Sequence, residues 1–132
     1  MHEQIVATVT KRSDNTAFKW FLENGDLAGV TWTEFYKQLQ QTAKSLMSLG
    51  VEKGDKVNVL SNTCYRWVLS DFAVVSIGGA TVGIYQSNLA KDCQYIIDHS
   101  DAVVIFAEDD EQLQKLQEIR KEIPNIRKVV MF

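Results

Sequence analysis

The chain has 132 residues, of which 45% are hydrophobic and 23% are charged, and its formal net charge at pH 7 is −3. This length and composition are typical of a single soluble globular domain. The net negative charge is unlike the basic face of nucleic-acid-binding proteins. Two cysteines, Cys64 and Cys93, are too few for a disulfide framework or a zinc knuckle. No apolar run is long enough for a membrane span, and residues 1–15 lack a secretory signal. We therefore expect a cytoplasmic protein.

The first third of the sequence predicts a β-hairpin after a polar beginning. Residues 1–15 are polar and show little periodicity, and we interpret them as a lead-in to the domain. Residues 17–22 are rich in aromatic side chains, and residues 29–32 form a suitable partner strand. Asn24 and Gly25 between them are typical turn residues.

A helix is predicted directly after the hairpin because both of its ends carry signals. Thr31 and Glu34 have the spacing of a capping box, in which each side chain accepts a hydrogen bond from the other residue's backbone N–H. Gly50 suits the left-handed position that follows many helix ends. The apolar residues between these ends recur at helical spacing, and they are Phe35, Leu39, Ala43, Leu46 and Leu49.

The remaining sequence alternates short apolar runs with helical patterns of about three turns, which is typical of βαβ units. The runs cover residues 57–60, 80–85, 102–107 and 128–132, and helices are predicted over residues 65–77, 89–99 and 111–122. The expected N-caps of these helices are Ser61-Asn62-Thr63, Ser87-Asn88 and Asp109-Asp110. Because the runs are apolar on both faces, we predict an α/β fold with a parallel sheet covered by helices.

The predicted helix around residues 67–75 is apolar on nearly every side. A surface helix keeps a polar face, so we expect this helix to be covered on both flanks, and little of the chain remains to cover the outer one. The sequence also stops at Phe132, inside or directly after an apolar run. We therefore expect a piece of a larger protein, with an exposed apolar patch at this helix or beside it. Oligomerisation through the same helix is the alternative explanation.

No segment has the pattern of a common phosphate-binding loop. A Rossmann turn needs closely spaced glycines, whereas the first βα turn contains Ser61-Asn62-Thr63-Cys64. Residues 76–83 are rich in small side chains, but they lack the lysine of a P-loop and lead into a strand. We interpret Gly78 and Gly79 as a tight turn between helix and strand.

Three further groups of residues are candidates for catalytic or ligand-binding chemistry. Cys93 and His99 lie on different faces of a helix, so Cys93 is interpreted as a buried apolar side chain on the same side as Leu89. Asp109-Asp110 is better explained by helix capping than by an acidic pocket. Tyr85-Gln86-Ser87-Asn88 follows a parallel strand, where open α/β sheets bind ligands, but it has no acid–base pair and turn formation is favoured. We assign no catalytic, cofactor-binding or metal-binding residue.

Several segments nevertheless occur in a characteristic order. They are Thr31-Trp32-Thr33-Glu34-Phe35 and residues 49–57, 60–63, 67–73 and 79–85. In this order they resemble the N-terminal region of the adenylate-forming, AMP-binding superfamily. The Gly83-Ile84-Tyr85 segment, with residues 93–100 and 123–130, is most similar to its long-chain fatty acid–CoA ligase branch. The resemblance covers residues 17–132, and it departs from the family pattern at Gln86, where many relatives have proline.

The resemblance implies an enzyme that works in two steps. A fatty acid carboxylate would attack the α-phosphate of Mg-ATP to give acyl-adenylate and pyrophosphate, and the thiol of coenzyme A would then displace AMP. The family's phosphate loop, its Tyr-Gly-x-Thr-Glu motif and its adenylation lysine have no counterpart in the sequence. By this comparison residues 16–132 are the N-terminal α/β subdomain, an inactive scaffold, while ATP, magnesium, coenzyme A and fatty acid belong to the full-length enzyme.

The resemblance also implies that the subdomain packs against the remainder of its own chain. A homodimer and peripheral membrane association are left open as further contacts. The alternative function is a stand-alone flavodoxin- or receiver-like binding module, or an oligomerisation module. A receiver needs an acidic pair at the end of its first strand, and residues 57–63 contain no acidic side chain.

Overall fold

The chain forms an antiparallel hairpin and a four-stranded parallel sheet, as the sequence predicted. The structure, a computed structural model, describes residues 2–132. Its helices are α1 His2–Arg12, α2 Trp32–Ser48, α3 Tyr65–Ser76, α4 Ala90–Ser100 and α5 Asp110–Glu118. Its strands are β1 Thr16–Phe21, β2 Leu27–Thr31, β3 Lys56–Leu60, β4 Ala80–Ile84, β5 Ala102–Ala107 and β6 Lys128–Met131. None of the described helices is both long enough and apolar enough to cross a lipid bilayer.

The strands of the parallel sheet lie in the order β4-β3-β5-β6. Helices α3, α4 and α5 are the crossovers between successive strands, because parallel neighbours need a connection that returns to the starting edge. Strand β5 is almost fully buried, whereas β4 at one edge leaves Ala80 and Gly83 exposed. The prediction of strands that are apolar on both faces thus holds for the centre of the sheet but not for its β4 edge.

Two hydrophobic cores lie on opposite faces of this sheet. On one face, side chains of β3 and β5 such as Val59 and Phe106 pack with α2 and α3. On the other face, Leu60 and Ile105 pack with Ile97 of α4 and with α5. This alternation of side chains along each strand gives a helix–sheet–helix sandwich.

An aromatic cluster attaches the hairpin to the helices. The Phe35 ring is fully buried, with its centroid 4.9 Å from that of Phe18 and 5.6 Å from that of Phe72. Trp20 stacks on Tyr65 with the ring centroids 4.6 Å apart and an interplanar angle of 5°. The cluster therefore joins β1, α2 and α3 into one unit.

The predicted capping box is present at the start of α2. The Thr31 N–H donates to Glu34 Oε2 over 2.8 Å, and the Glu34 N–H donates to Thr31 Oγ1 over 3.2 Å. The bonds from the Thr31 backbone and then its hydroxyl hold the pKa of the Glu34 carboxyl below its usual range. Gly50 follows the helix at φ 81°, the left-handed conformation that was expected there.

The structure differs from the sequence prediction at the N-terminus and at two N-caps. Residues 1–15 contain helix α1, whose periodicity was not detected although Ile5 is buried in the first core. The predicted side-chain caps of α3 and α4 are also absent from these described helices, since Cys64 and Leu89 occupy the N-cap positions without accepting side-chain bonds. Asp109 does cap α5, where its Oδ1 accepts from the Gln112 N–H over 3.0 Å.

Candidate functional site

The carboxyl ends of three parallel strands meet at one edge of the sheet. Leu60 of β3 is in register with Ile84 of β4 and with Ala107 of β5. The loops after these strands, residues 61–64, 85–89 and 108–109, therefore start at the same level. Open parallel sheets bind ligands at this edge, so these loops form the candidate site.

A cavity of about 470 Å³ lies between the first two loops, and we refer to it as the carboxyl-edge pocket. Its lining residues are Ser61, Asn62, Thr63, Trp67, Gly83, Ile84, Tyr85 and Gln86. The indole of Trp67 lies against β4, because a Cβ added at Gly83 would be 3.5 Å from Trp67 Cζ2. Among the described residues, the lining includes aromatic, hydroxyl and amide groups but no carboxylate, ammonium or imidazole.

Glu108 holds the first loop of the pocket in place. Its Oε2 accepts a hydrogen bond from the backbone N–H of Asn62 over 2.7 Å and one from the Asn62 side-chain amide over 3.3 Å. The Glu108 N–H donates to the Leu60 carbonyl oxygen over 3.1 Å, which fixes the start of the third loop beside the first. The carboxylate thus stabilises the protein's own loop.

Lys115 of α5 holds the second loop. Its Nζ donates to the backbone carbonyl oxygen of Gln86 and, over 3.0 Å, to Oε1 of the buried Gln112. A third neighbour is Glu111, whose Oε1 lies 3.6 Å away. Across the middle of this loop the Asn88 N–H donates to the Tyr85 carbonyl oxygen over 3.0 Å.

The other candidate residues from the sequence do not assemble into a catalytic group. Cys93 is a free, fully buried thiol, and its burial raises the thiol pKa. His99 is exposed and stacks on Tyr95 with the ring centroids 5.7 Å apart. Leu89 was expected beside Cys93 on the buried side, but it is 71% exposed. Among the described residues there is no group of three or more side chains that could hold a metal ion.

A second concave surface lies beside α3, and we refer to it as the apolar groove. It has a volume of about 620 Å³ and runs between the hairpin, α2, α3 and β6. Leu69 of α3, Leu49 and Phe132 are among its apolar lining residues. The sequence predicted an exposed apolar patch at residues 67–75 or beside them. Leu69 lines the groove, but the large apolar side chains of α3 are half-buried or buried rather than exposed.

The fold and sequence can be placed among known proteins. Residues 5–132 match the family described as AMP-binding enzyme. The chain belongs to this family. A long-chain-fatty-acid–CoA ligase of Mycobacterium bovis is 37% identical over 111 residues, and one of Xenopus laevis is 28% identical over 133 residues. The matches span 84% and 100% of this chain but 18% of each relative, so the chain corresponds to less than a fifth of those ligases.

Solved structures of adenylate-forming enzymes show the same arrangement of helices and strands. The acetoacetyl-CoA synthetase from Streptomyces lividans superposes with a TM-score of 0.89 at 25% identity, covering 98% of this chain and 21% of the synthetase. A Mycobacterium tuberculosis fatty acyl CoA synthetase gives a TM-score of 0.84 at 16% identity and supports the fold alone. A stand-alone flavodoxin- or receiver-like module is not favoured, because the AMP-binding family match extends from residue 5 to residue 132.

The residues that fix the pocket could not be identified from the sequence. Glu108 and Asn62 are 46 positions apart, and Lys115 and Gln86 are 29 positions apart. Neither pair forms a local motif, and only the parallel register brings the partners together. The Tyr85–Asn88 segment was correctly placed at the carboxyl edge, whereas Glu108 and Lys115 were missed.

Proposed function

We propose that this chain is the N-terminal part of a long-chain fatty acid–CoA ligase. The complete enzyme would activate a fatty acid with ATP to an acyl-adenylate and transfer the acyl group to coenzyme A. The observation that carries this proposal is the 37% identity over 111 residues to a long-chain-fatty-acid–CoA ligase. The match of residues 5–132 to the AMP-binding family supports the same reaction class.

In this proposal the chain forms one side of the enzyme's substrate-binding body and supplies none of its reacting groups. The attack of a carboxylate on a polyphosphate needs cationic groups and backbone donors that offset the repulsion between like charges. At the carboxyl edge of this sheet, Glu108, Asp109 and Asp110 are acidic, and the ammonium of Lys115 donates to the protein itself. This distribution of charge is unsuited to a triphosphate.

Magnesium, which the family's reaction implies, does not fit the described residues either. No cluster of three or more histidine, cysteine or acidic side chains has the arrangement of a metal site in residues 2–132. No step of the reaction is therefore assigned to this chain. Its proposed contribution is to shape the carboxyl-edge pocket and to present the apolar groove to the rest of a longer polypeptide.

The proposal is tested with the complete protein from which this chain comes. Purified full-length enzyme is expected to catalyse palmitate-dependent exchange of radiolabelled pyrophosphate into ATP, and to form palmitoyl-CoA when coenzyme A is added. The 132-residue chain is assayed in parallel and is expected to give no exchange above a protein-free control. Exchange that depends on acetate or an aryl acid instead of palmitate would contradict the proposed substrate class. Activity of the 132-residue chain alone would contradict its proposed role as a part of the enzyme without reacting groups.

A further inference from the structure

The loops after β3 and β4 line the carboxyl-edge pocket, and both are hydrogen-bonded to one short segment, residues 108–115. Glu108 at the start of this segment binds the loop after β3, and Lys115 near its end binds the loop after β4. At the base of the two loops the Ser61 N–H donates to the Ile84 carbonyl oxygen over 3.3 Å. Beyond this base, residues 108–115 connect the loop after β3 with the loop after β4.

Each attachment uses a charged group on a backbone atom, which makes it stronger than a neutral hydrogen bond. The Glu108 carboxylate receives the Asn62 N–H over 2.7 Å, a distance at the short end of the normal range. The Lys115 side chain is only 17% exposed, so its ammonium has little access to water and depends on protein acceptors. The Gln86 and Gln112 oxygens supply two of them.

We propose that Glu108 and Lys115 are positioning residues for the carboxyl-edge pocket. They hold the two loops at a fixed separation, so that a substrate portion enters without first ordering the walls. Part of this inference, that the pocket receives a portion of the ligase's substrates, rests on the proposed function. The holding of the loops rests on the hydrogen bonds alone and is tested separately.

Loop order is measured by amide hydrogen exchange of the 132-residue chain, observed by NMR. Glu108→Ala is expected to accelerate exchange of the Asn62 amide about tenfold or more, the factor that corresponds to loss of one charged hydrogen bond. Lys115→Met keeps most of the side-chain length but removes the ammonium, and it is expected to accelerate exchange of the Asn88 amide by about the same factor. Lys115→Arg, which still donates, is expected to stay within about threefold of the original chain.

Exposed Lys121 provides the matched control, because Lys121→Met removes an ammonium close to α5 but outside this network. Amides of the buried strand β5 report on global unfolding; they are expected to keep the original rate in Lys121→Met and, because a native-state bond is lost, to accelerate by no more than the loop amides do in Glu108→Ala and Lys115→Met. Unchanged exchange at Asn62 in Glu108→Ala, or at Asn88 in Lys115→Met, would overturn the proposal. Acceleration at β5 without acceleration at Asn62 or Asn88 would also overturn it, since the two bonds would then contribute to overall stability and not to the order of the loops.

The kinetic consequence is measured in the full-length enzyme. Lys115→Met is expected to raise the KM for fatty acid or for coenzyme A about fivefold, with the KM for ATP and kcat each changed less than about twofold and with recovery in Lys115→Arg. Unaltered KM values in an active enzyme with accelerated loop exchange would refute the link between loop order and substrate. Absence of ligase activity in the unmodified enzyme would instead refute the proposed function and leave the exchange result standing.

Discussion

Substitution of Phe35 with alanine is expected to lower the free energy of unfolding by about 4 kcal/mol. The Phe35 side chain is fully buried, and its ring contacts aromatic rings of β1 and α3 as well as that of Trp32. A buried ring of this kind removes roughly 150–200 Å² from water, which at about 25 cal/mol per Å² corresponds to about 4–5 kcal/mol. The alanine methyl retains part of this area, while the cavity that is left adds a cost.

The measurement is urea-induced unfolding followed by tryptophan fluorescence. Met47→Ala on the same helix is the matched control, because Met47 is 60% exposed and its loss is expected to change stability by less than about 0.5 kcal/mol. Phe35→Leu fills most of the cavity and is expected to cost about 1.5 kcal/mol or less, so it remains measurable even if the alanine variant unfolds. A loss below about 1.5 kcal/mol for Phe35→Ala at an unchanged m-value would refute the role of this ring as the joint between hairpin and helices.

Three further results are expected. Thr31→Ala removes the N-cap hydroxyl and should cost about 1 kcal/mol in urea unfolding, and it should move the pKa of Glu34, measured by NMR titration, only part of the way back to normal because the backbone N–H bond remains. Since the folded pKa is depressed, the contribution of this carboxylate is present above its unfolded pKa and is lost as the pH falls through the folded value. Gly79→Ala should cost about 1–3 kcal/mol, because an added Cβ would lie 3.2 Å from two backbone carbonyl oxygens. With a thiol reagent near pH 8, Cys64 should react first and Cys93 only after unfolding, because burial raises the Cys93 pKa; rapid modification of both thiols in the folded chain would contradict this.

The elements that were predicted correctly are those whose signals are local. The capping box of α2 needs only Thr31 and Glu34, three positions apart, and the apolar spacing of that helix needs no knowledge of its neighbours. The hairpin and the three βα crossovers likewise follow from short apolar runs and the turn residues between them. Helix α1 was missed because its two packed apolar residues, Ile5 and Val9, are too few for a clear period in a polar segment.

Two of the features that were missed lie in the loops at the carboxyl edge, where the local pattern does not fix the arrangement. Ser61 was expected to cap α3, but its Oγ lies 2.6 Å from the Asn62 carbonyl oxygen, and the Asn62 amide is taken up by Glu108. Leu89 fits the helical pattern of α4, yet it lies at the N-cap and faces solvent. In each case the local pattern is compatible with two arrangements, and for Asn62 the distant Glu108 carboxylate selects between them.

The two charged side chains at the carboxyl edge explain how a family domain can contribute to a reaction without supplying a reacting group. A ligand gains affinity when the groups around it are already held in position, because their ordering then adds no cost at binding. Glu108 and Lys115 use their charges on an amide and a carbonyl of the pocket loops, so neither charge is directed at a ligand in this arrangement. Their effect on substrates, if the exchange and kinetic tests agree, must therefore pass through the position of the loops rather than through direct electrostatic contact.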